Sequence, residues 1–338
     1  MYILSFETSC DDTSIAIFKD EKLVAMDTDS QICIHNKTWW VVPEVAAREH
    51  ANNIFRVLTN VLDQAKLSLE DIDYIWVTTN PGLLPSLLTW TTVAWTISTV
   101  LEKKIIPINH IEAHIFSNFL EREEKDIEFP LVCLTVSWGH NDIYFMKSMF
   151  DIEKLGSTWD DAGGEAFDKA AKMMWLEYPG GPVISRLATE YEAEWWKSTW
   201  LFPRVWLVKR EFNFSFSGLK SSVKREVDKR IKEKWELTLE DKKEISFEFE
   251  NAVTEVMAWK IVEAARQKRV KTVMLAWWVS ANNKLRNEID KLAKKERLKF
   301  IYPVKNLYCM DNAAMVWINT YYKIKYAQFE EKIWVVKM

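Results

Sequence analysis

Glycine is scarce in this chain, with 8 among 338 residues, where ordinary usage of about 7% would give roughly 24. Tryptophan, at 18, fills most of that gap. Twice two tryptophans stand side by side, Trp39-Trp40 ahead of Val-Val-Pro-Glu and Trp277-Trp278 ahead of Val-Ser-Ala-Asn, and both settings ask for glycine. Cysteine is also sparse. Cys10, Cys33, Cys133 and Cys309 show no C-x-x-C spacing, which argues against a disulfide framework or zinc ribbon. The N-terminus shows no charged region leading into an apolar stretch, so the expected setting is a reducing cytoplasm. From Val77 to Leu101 no residue is charged, but Pro81, Gly82, Pro85 and many Ser/Thr interrupt the run, so a buried loop and helix is expected there rather than a membrane span. Low-complexity tracts and repeats of fixed period are absent. A net charge of −4 excludes a wholly basic nucleic-acid binder and leaves RNA contact to a local patch or a partner.

The length exceeds what one core usually serves, so two domains are expected. Apolar runs at Tyr2–Phe6 and Ser14–Phe18 flank a polar turn, with a third strand from Lys22 to Asp27. Pro43 begins a helix through Ala65, with Glu44 in its first turn suiting the helix dipole. Strand Tyr74–Val77, helix Leu84–Leu101 and strand Ile105–Ile108 follow. A second cycle has strands Leu131–Val136 and Ile143–Lys147, helices from Glu165 and Pro182, two long charged helices between Leu219 and Lys268, strand Thr272–Ala276 and a helix after Asn282. Strands first and then helices, twice over, predicts an α/β protein of two related lobes around a cleft. The expected division is residues 1–108, completed by a C-terminal helix at about 311–338, and residues 109–310.

His110-Ile111-Glu112-Ala113-His114 places two imidazoles four residues apart, on one face of a helix and within reach of one metal ion. Glu112 falls at the wrong offset for the H-E-x-x-H of zinc proteases and projects away from that face. The other histidines, His35, His50 and His140, lie beside loop signals. Glu7 to Thr13 (Glu-Thr-Ser-Cys-Asp-Asp-Thr) forms the turn between the first two strands, where hydroxyls and backbone amides can hold phosphate and carboxylates a metal; a plain polar hairpin turn fits it as well. The Thr135–His140 strand end and the turn from Asp160 to Glu165 carry small residues of the kind that bind anions at helix starts. The basic run from Lys220 to Lys234 is interleaved with Glu226, Asp228 and Glu233 and reads as a solvated helix face, with contact to tRNA phosphates as the alternative.

With these residues the sequence resembles the bacterial tRNA adenosine threonylcarbamoyltransferase family, also called the glycoprotease family. The likeness rests on Glu7-Thr8-Ser9-Cys10-Asp11, Val42-Pro43-Glu44, Asn80-Pro81-Gly82-Leu83, His110-x-Glu112-Ala113-His114 and Gly164-Glu165-Ala166-Phe167-Asp168-Lys169. It continues through Tyr178-Pro179-Gly180-Gly181-Pro182, Phe214-Ser215-Phe216-Ser217-Gly218-Leu219-Lys220, Val279-Ser280-Ala281-Asn282 and Asp311-Asn312-Ala313-Ala314-Met315. The resemblance implies a two-lobed actin/Hsp70-like ATPase (ASKHA) fold. It also implies transfer of the threonylcarbamoyl group from threonylcarbamoyl-AMP to N6 of adenosine 37 in tRNAs that read codons beginning with A. By motif position, His110, His114 and Asp311 are implied to bind one divalent metal ion per subunit, iron or zinc. Thr135, Val136, Ser137, Trp138, Gly139, Asp168, Gly181 and Asn282 are implied to hold the adenylate. Implied partners are tRNA, a paralogous non-catalytic subunit and a small P-loop ATPase, with no membrane.

Trp39, Trp40, Trp90, Trp138, Trp175, Trp277 and Trp278 stand where the resembled family has glycine, and Ala313 replaces a frequent glycine more mildly. Glycine there permits positive φ and close approach of the backbone to a ligand; an indole at Trp138 or Trp278 projects into the nucleotide space. A gene that uses UGA for glycine, written out with UGA as tryptophan, produces this one-way exchange, whereas UGG codons at Trp39, Trp138 and Trp277 would exclude it. If the tryptophans are genuine, an inactive scaffold subunit is the alternative function. A metallopeptidase leaves the nucleotide loops idle, and a small-molecule kinase has no use for a His-His-Asp site.

Overall fold

The computed structural model describes residues 1–195, 197–206 and 212–326, which divide into two compact units, Met1–Arg122 with Pro303 onward and Glu123–Tyr302.

The first unit holds β1 (Tyr2–Glu7), β2 (Asp12–Lys19), β3 (Lys22–Ser30), α1 (Ile32–His35), α2 (Pro43–Ala65), β4 (Tyr74–Asn80), α3 (Leu84–Val100), β5 (Lys104–Asn109) and α4 (His110–Phe116). Its sheet runs β3-β2-β1-β4-β5, antiparallel across β1–β2–β3 and parallel across β1–β4–β5. Leu4, Phe6, Ile15 and Ile17 pack with Ile54 and Val57 of α2 and Trp90 of α3. Pro43 sits at the start of α2 and Glu44 in its first turn, as the sequence dictates.

The second unit holds β6 (Leu131–Val136), β7 (Asn141–Met146), β8 (Ile152–Gly156), α5 (Gly163–Met173), α6 (Gly180–Trp195), α7 (Ser217–Lys234), α8 (Leu239–Lys268), β9 (Thr272–Ala276), α9 (Asn283–Glu296) and β10 (Lys299–Ile301). Its sheet runs β10-β9-β6-β7-β8, with antiparallel β6–β7–β8 and parallel β6–β9–β10. Both units therefore follow one plan, an antiparallel meander extended by parallel strands through helical crossovers. α8 starts in a reciprocal box, in which Thr238 Oγ1 accepts from Asp241 N at 3.1 Å and Asp241 Oδ2 accepts from Thr238 N at 3.0 Å. α10 (Ala313–Lys325) returns to the first unit, where Trp317 stacks on Phe18 with ring centres 4.1 Å apart.

Four expectations change. The first unit runs past residue 108 to Arg122, because α4 packs on β5 and α10 rather than on the second sheet. The C-terminal helix ends at Lys325, and residues 327–338 lie outside the described residues. α3 is only half buried: Leu84, Leu88 and Val100 are exposed while Ser86, Leu87, Trp90 and Ala94 face inward. No helix among the described residues is long and apolar enough to cross a membrane. His50 lies inside α2, where its Nδ1 meets Thr13 Oγ1 at 2.7 Å and its Nε2 meets Cys10 O at 2.9 Å, a tie between helix and turn.

None of the eight glycines has a positive φ, whereas Trp39 (65°), Trp175 (53°), Trp200 (58°), Trp235 (71°) and Trp277 (76°) all do. Trp277, with ψ −174°, occupies a backbone region that is essentially confined to glycine. Trp200 and Trp235 add to the sites expected from sequence. Trp40, Trp90, Trp138 and Trp278 have no positive φ.

Candidate active site

Asn109 caps α4, its side-chain oxygen accepting from Glu112 N at 3.1 Å, and the single helical turn that follows lays His110 beside His114. Asp311, just ahead of α10, completes the group. One ligand atom from each of the three lies within 4.8 Å of the others. His114 Nε2 is 2.8 Å and His110 Nε2 3.6 Å from Asp311 Oδ1. Both imidazoles are buried. Burial, reinforced by the neighbouring His110, pushes His114 down to about 4, so at neutral pH its ring is uncharged and offers a lone pair. Burial also acts to lower His110, but the carboxylates of Glu7 and Asp311 outweigh it and raise that ring. Two neutral-capable imidazoles, both buried, and a partly buried carboxylate converging on one point are a donor set that fits a divalent ion.

Glu7 lies behind the imidazoles. Its Oε2 sits 3.1 Å from His110 Nδ1 and accepts from Thr78 Oγ1 at 2.6 Å, while Oε1 accepts from Ser9 N at 2.7 Å. Burial acts to raise this carboxyl, but His110 and Thr78 bring it below the usual carboxylate range. An ionised Glu7 can only accept, so His110 Nδ1 carries the proton and Nε2 is left for a ligand. Glu112 pairs instead with Lys323 at 2.6 Å, away from the histidine pair, as its offset predicts.

In the second unit a cavity of about 520 Å³ is lined by Gly181, Ser185, Glu250, Trp278 and Asn282, among others. Of the eight residues expected to hold an adenylate, Gly181 and Asn282 line it. Thr135 and Val136 are buried in β6. Ser137 Oγ accepts from His140 N at 3.0 Å and tightens the strand-end loop. Gly139 is open, with nothing within 4 Å of where a Cβ would stand. Trp138 is 45% exposed. Asp168 Oδ1 accepts from Gly180 N at 2.7 Å and so holds the start of α6. The amides opening α5 are already used: Gly163 N donates to Asn141 Oδ1, Gly164 N to Ser137 O and Glu165 N to Trp138 O. That helix start grips its own loop rather than an anion. A Cβ on Gly164 would stand 2.7 Å from Ser137 O and Trp138 Cα, so this glycine serves close approach of loop to helix.

A family model described as tRNA N6-adenosine threonylcarbamoyltransferase (TsaD) matches residues 22–317. Among curated relatives of that name, one from Persephonella marina is 41% identical over 329 residues, covering 96% of this chain and 91% of the relative. One from Syntrophomonas wolfei is 42% identical over 321 residues, covering 95% and 91%. The chain belongs to the tRNA N6-adenosine threonylcarbamoyltransferase family. Its fold is the actin/Hsp70-like ATPase fold. HypF of T. kodakarensis superposes with a TM-score of 0.59 at 12% identity, covering 97% of this chain and 48% of that one. The (R)-2-hydroxyglutaryl-CoA dehydratase component A of Acidaminococcus fermentans superposes with a TM-score of 0.55 at 13% identity, covering 96% and 99%.

Sequence reasoning on this transferase missed two residues. Glu7 was legible only as part of a polar turn, since nothing in the spacing of Glu7 and His110, 103 residues apart, links them before the β1–β4–β5 sheet is built. Glu250 sits mid-helix in a charged segment, where one acid among many carries no signal. The basic run pairs internally: Lys224 with Asp228, Arg230 with Glu226 and Asp241, Lys234 with Asp241, while Lys220 reaches Asp161. Arg230 is buried against these carboxylates, while Lys224, Arg225 and Lys229 are exposed.

Proposed function

We propose that this protein transfers the threonylcarbamoyl group of threonylcarbamoyl-AMP to N6 of adenosine 37 of tRNA, with His110, His114 and Asp311 holding one divalent ion, Fe²⁺ or Zn²⁺, in the first unit. The observation that carries the metal reading is the convergence of these three side chains, with Glu7 fixing the tautomer of His110. Bound there, the ion would supply Lewis-acid polarisation and hold the donor's oxygens. The chain's own residues do the rest. Asp311 brings negative charge to the two rings, and Ser9 Oγ, 3.1 Å from His110 Nδ1, packs against the same ring. In the second unit Gly181 presents backbone with no side chain in the way, and Asn282 and Glu250 shape the wall that would take the adenosine moiety. The attacking amine of adenosine is weakly basic, so carbonyl activation and stabilisation of the leaving phosphate matter more than a strong general base. Glu112 is engaged by Lys323, which speaks for transfer rather than peptide hydrolysis.

The same reading makes a paralogous subunit and a P-loop ATPase its working partners, tRNA its acceptor and the cytoplasm its place. The test supplies threonylcarbamoyl-AMP, tRNA, the paralogous subunit, the P-loop ATPase and Fe²⁺ or Zn²⁺ and follows the modified nucleoside by mass spectrometry. Product must form with the chain carrying glycine in place of Trp39, Trp40, Trp90, Trp138, Trp175, Trp277 and Trp278, and disappear when His114→Ala is added, together with the bound metal. Metal held stoichiometrically by His114→Ala, or product formed without metal, would overturn the assignment.

A further inference from the structure

Glu250 is a buried carboxylate in the wall of the 520 Å³ cavity. One of its oxygens is fully used. Oε1 accepts from Ser185 Oγ at 2.5 Å on α6 and from Asn282 Nδ2 at 2.7 Å ahead of α9. The same Nδ2 lies 3.0 Å from Ser185 Oγ, and Asn282 Oδ1 accepts from Leu285 N at 2.8 Å to cap α9. The Asn282 amide is thereby committed at both ends to protein partners, which leaves it little to offer a ligand. The other carboxylate oxygen, Oε2, has no hydrogen bond from the described residues and is not sealed from the cavity. An acceptor-only oxygen at the edge of a cavity this size calls for a donor on whatever fills it. Burial raises the Glu250 carboxyl, and the Ser185 and Asn282 donors with nearby Lys284 offset this only in part, so one more donor is welcome. Lys284 is itself held by Glu192 at 2.7 Å and does not compete for Oε2.

We infer that Glu250 is a specificity-determining residue of the second-unit cavity, its Oε2 accepting a hydrogen bond from a ribose hydroxyl of the bound adenylate. The inference rests on the proposed adenylate reading and adds to it the group that tells ribose from deoxyribose. A vicinal diol has two donors at the reach of a short side chain, whereas the phosphate of an adenylate has none at neutral pH and is repelled by a carboxylate. A hydrogen bond to a charged acceptor is worth roughly one to two orders of magnitude in affinity.

The experiment is isothermal titration of the full chain with AMP, 2′-deoxy-AMP and 3′-deoxy-AMP. The unaltered chain should bind AMP at least about tenfold more tightly than one of the two deoxy forms. Glu250→Gln keeps the side chain's shape and an oxygen for Ser185 and Asn282. It should weaken AMP by about that factor while leaving that deoxy form unchanged, so that the ratio collapses to within about threefold. Glu250→Ala serves as a second variant, with thermal unfolding read alongside to separate lost folding from lost discrimination. Preserved discrimination in a folded Glu250→Gln chain, or equal binding of all three nucleotides by the unaltered chain, overturns the role of Glu250 and leaves the adenylate reading standing. Failure of AMP to bind at all overturns both.

Discussion

Trp235 offers a direct test of what the backbone demands. It follows α7 with φ 71° and ψ −29°, in the left-handed region, its N–H bonding back to Ile231 O at 2.7 Å, and its residue is 91% exposed. This is the place just past a helix end where glycine is most enriched. Comparing Trp235→Gly with Trp235→Ala removes the indole from both sides of the comparison and isolates the effect of one Cβ at positive φ. The left-handed conformation costs a residue bearing a Cβ about 1–2 kcal/mol, while glycine's greater freedom in the unfolded chain costs about 0.5–1 kcal/mol. The glycine variant should therefore be more stable than the alanine variant by about 0.5–1 kcal/mol. Lys229, exposed within α7, is the control: there alanine should exceed glycine by about 0.5–1 kcal/mol. Scanning calorimetry reads these differences as about 2–4 °C per kcal/mol in the transition of a unit of this size. The decisive quantity is the inversion of sign between the two positions. Alanine equal to or better than glycine at position 235 would refute the argument that this tryptophan occupies a glycine site.

Other outcomes follow from the same geometry. Glu7→Ala removes the acceptor that fixes His110 and should lower metal affinity by about 10–100-fold, measured by competition with a chelator; unchanged affinity would free Glu7 from that role. Asp241 accepts from Lys234, Thr238 and Arg230, which outweigh burial and hold its carboxyl below the usual range. Asp241→Asn should cost on the order of 2 kcal/mol at pH 7. Because the folded state depresses this group, its contribution is present above about pH 4 and is lost progressively as the pH falls from there through the folded value, so the gap between variant and parent should narrow steadily below about pH 4; a gap of the same size at pH 5 and at pH 2 would point to packing instead. Gly164→Ala should destabilise the second unit by about 1–3 kcal/mol, since the new methyl meets the Ser137–Trp138 backbone; an unshifted melting temperature would show that the loop yields. Mass spectrometry of peptides from the natural source should find glycine at positions 39, 175 and 277, and tryptophan at all three would defeat the UGA reading.

Periodicity and punctuation sufficed for most elements of the fold. The Pro43 start of α2, the apolar runs of β1 and β2 and the charged faces of α7 and α8 are local properties, and local signals survive in a string of letters. β8 (Ile152–Gly156) and β10 (Lys299–Ile301) were not legible, being short sheet edges whose residues carry little apolar pattern and take their conformation from β7 and β9. The His110–His114 pair was visible because one helical turn fixes it. Asp311 was reachable only through the family resemblance, since it lies 197 residues from His114 in sequence. The mid-helix Glu250 clamp depends on α6, α8 and the α9 cap meeting at one point, and no pattern along any single segment encodes that meeting.

The two classes of glycine-demanding position separate in this chain in an informative way. The glycines at 82, 156, 164 and 180 all sit where an added Cβ would come within 3.0 Å of neighbouring atoms, so their demand is for space. Among the described residues the demand for positive φ falls on eleven, none of them glycine. Six of these, Asp20, Lys66, Glu102, Glu121, Arg269 and Arg297, are polar residues at turns and helix ends, a tolerable if costly choice. The other five are tryptophan, the bulkiest residue available and one that gains nothing from a left-handed backbone. Selection for a larger side chain would act on what the indole touches, yet Trp175 and Trp235 are 67% and 91% exposed. Trp277 is buried against His140, with ring centres 5.9 Å apart, and sits in the most glycine-specific backbone region of all. Packing differs across these sites while the backbone requirement stays the same. The tryptophans therefore track the conformation that glycine serves rather than any environment that suits an indole, as expected if a codon for glycine stands behind each of them.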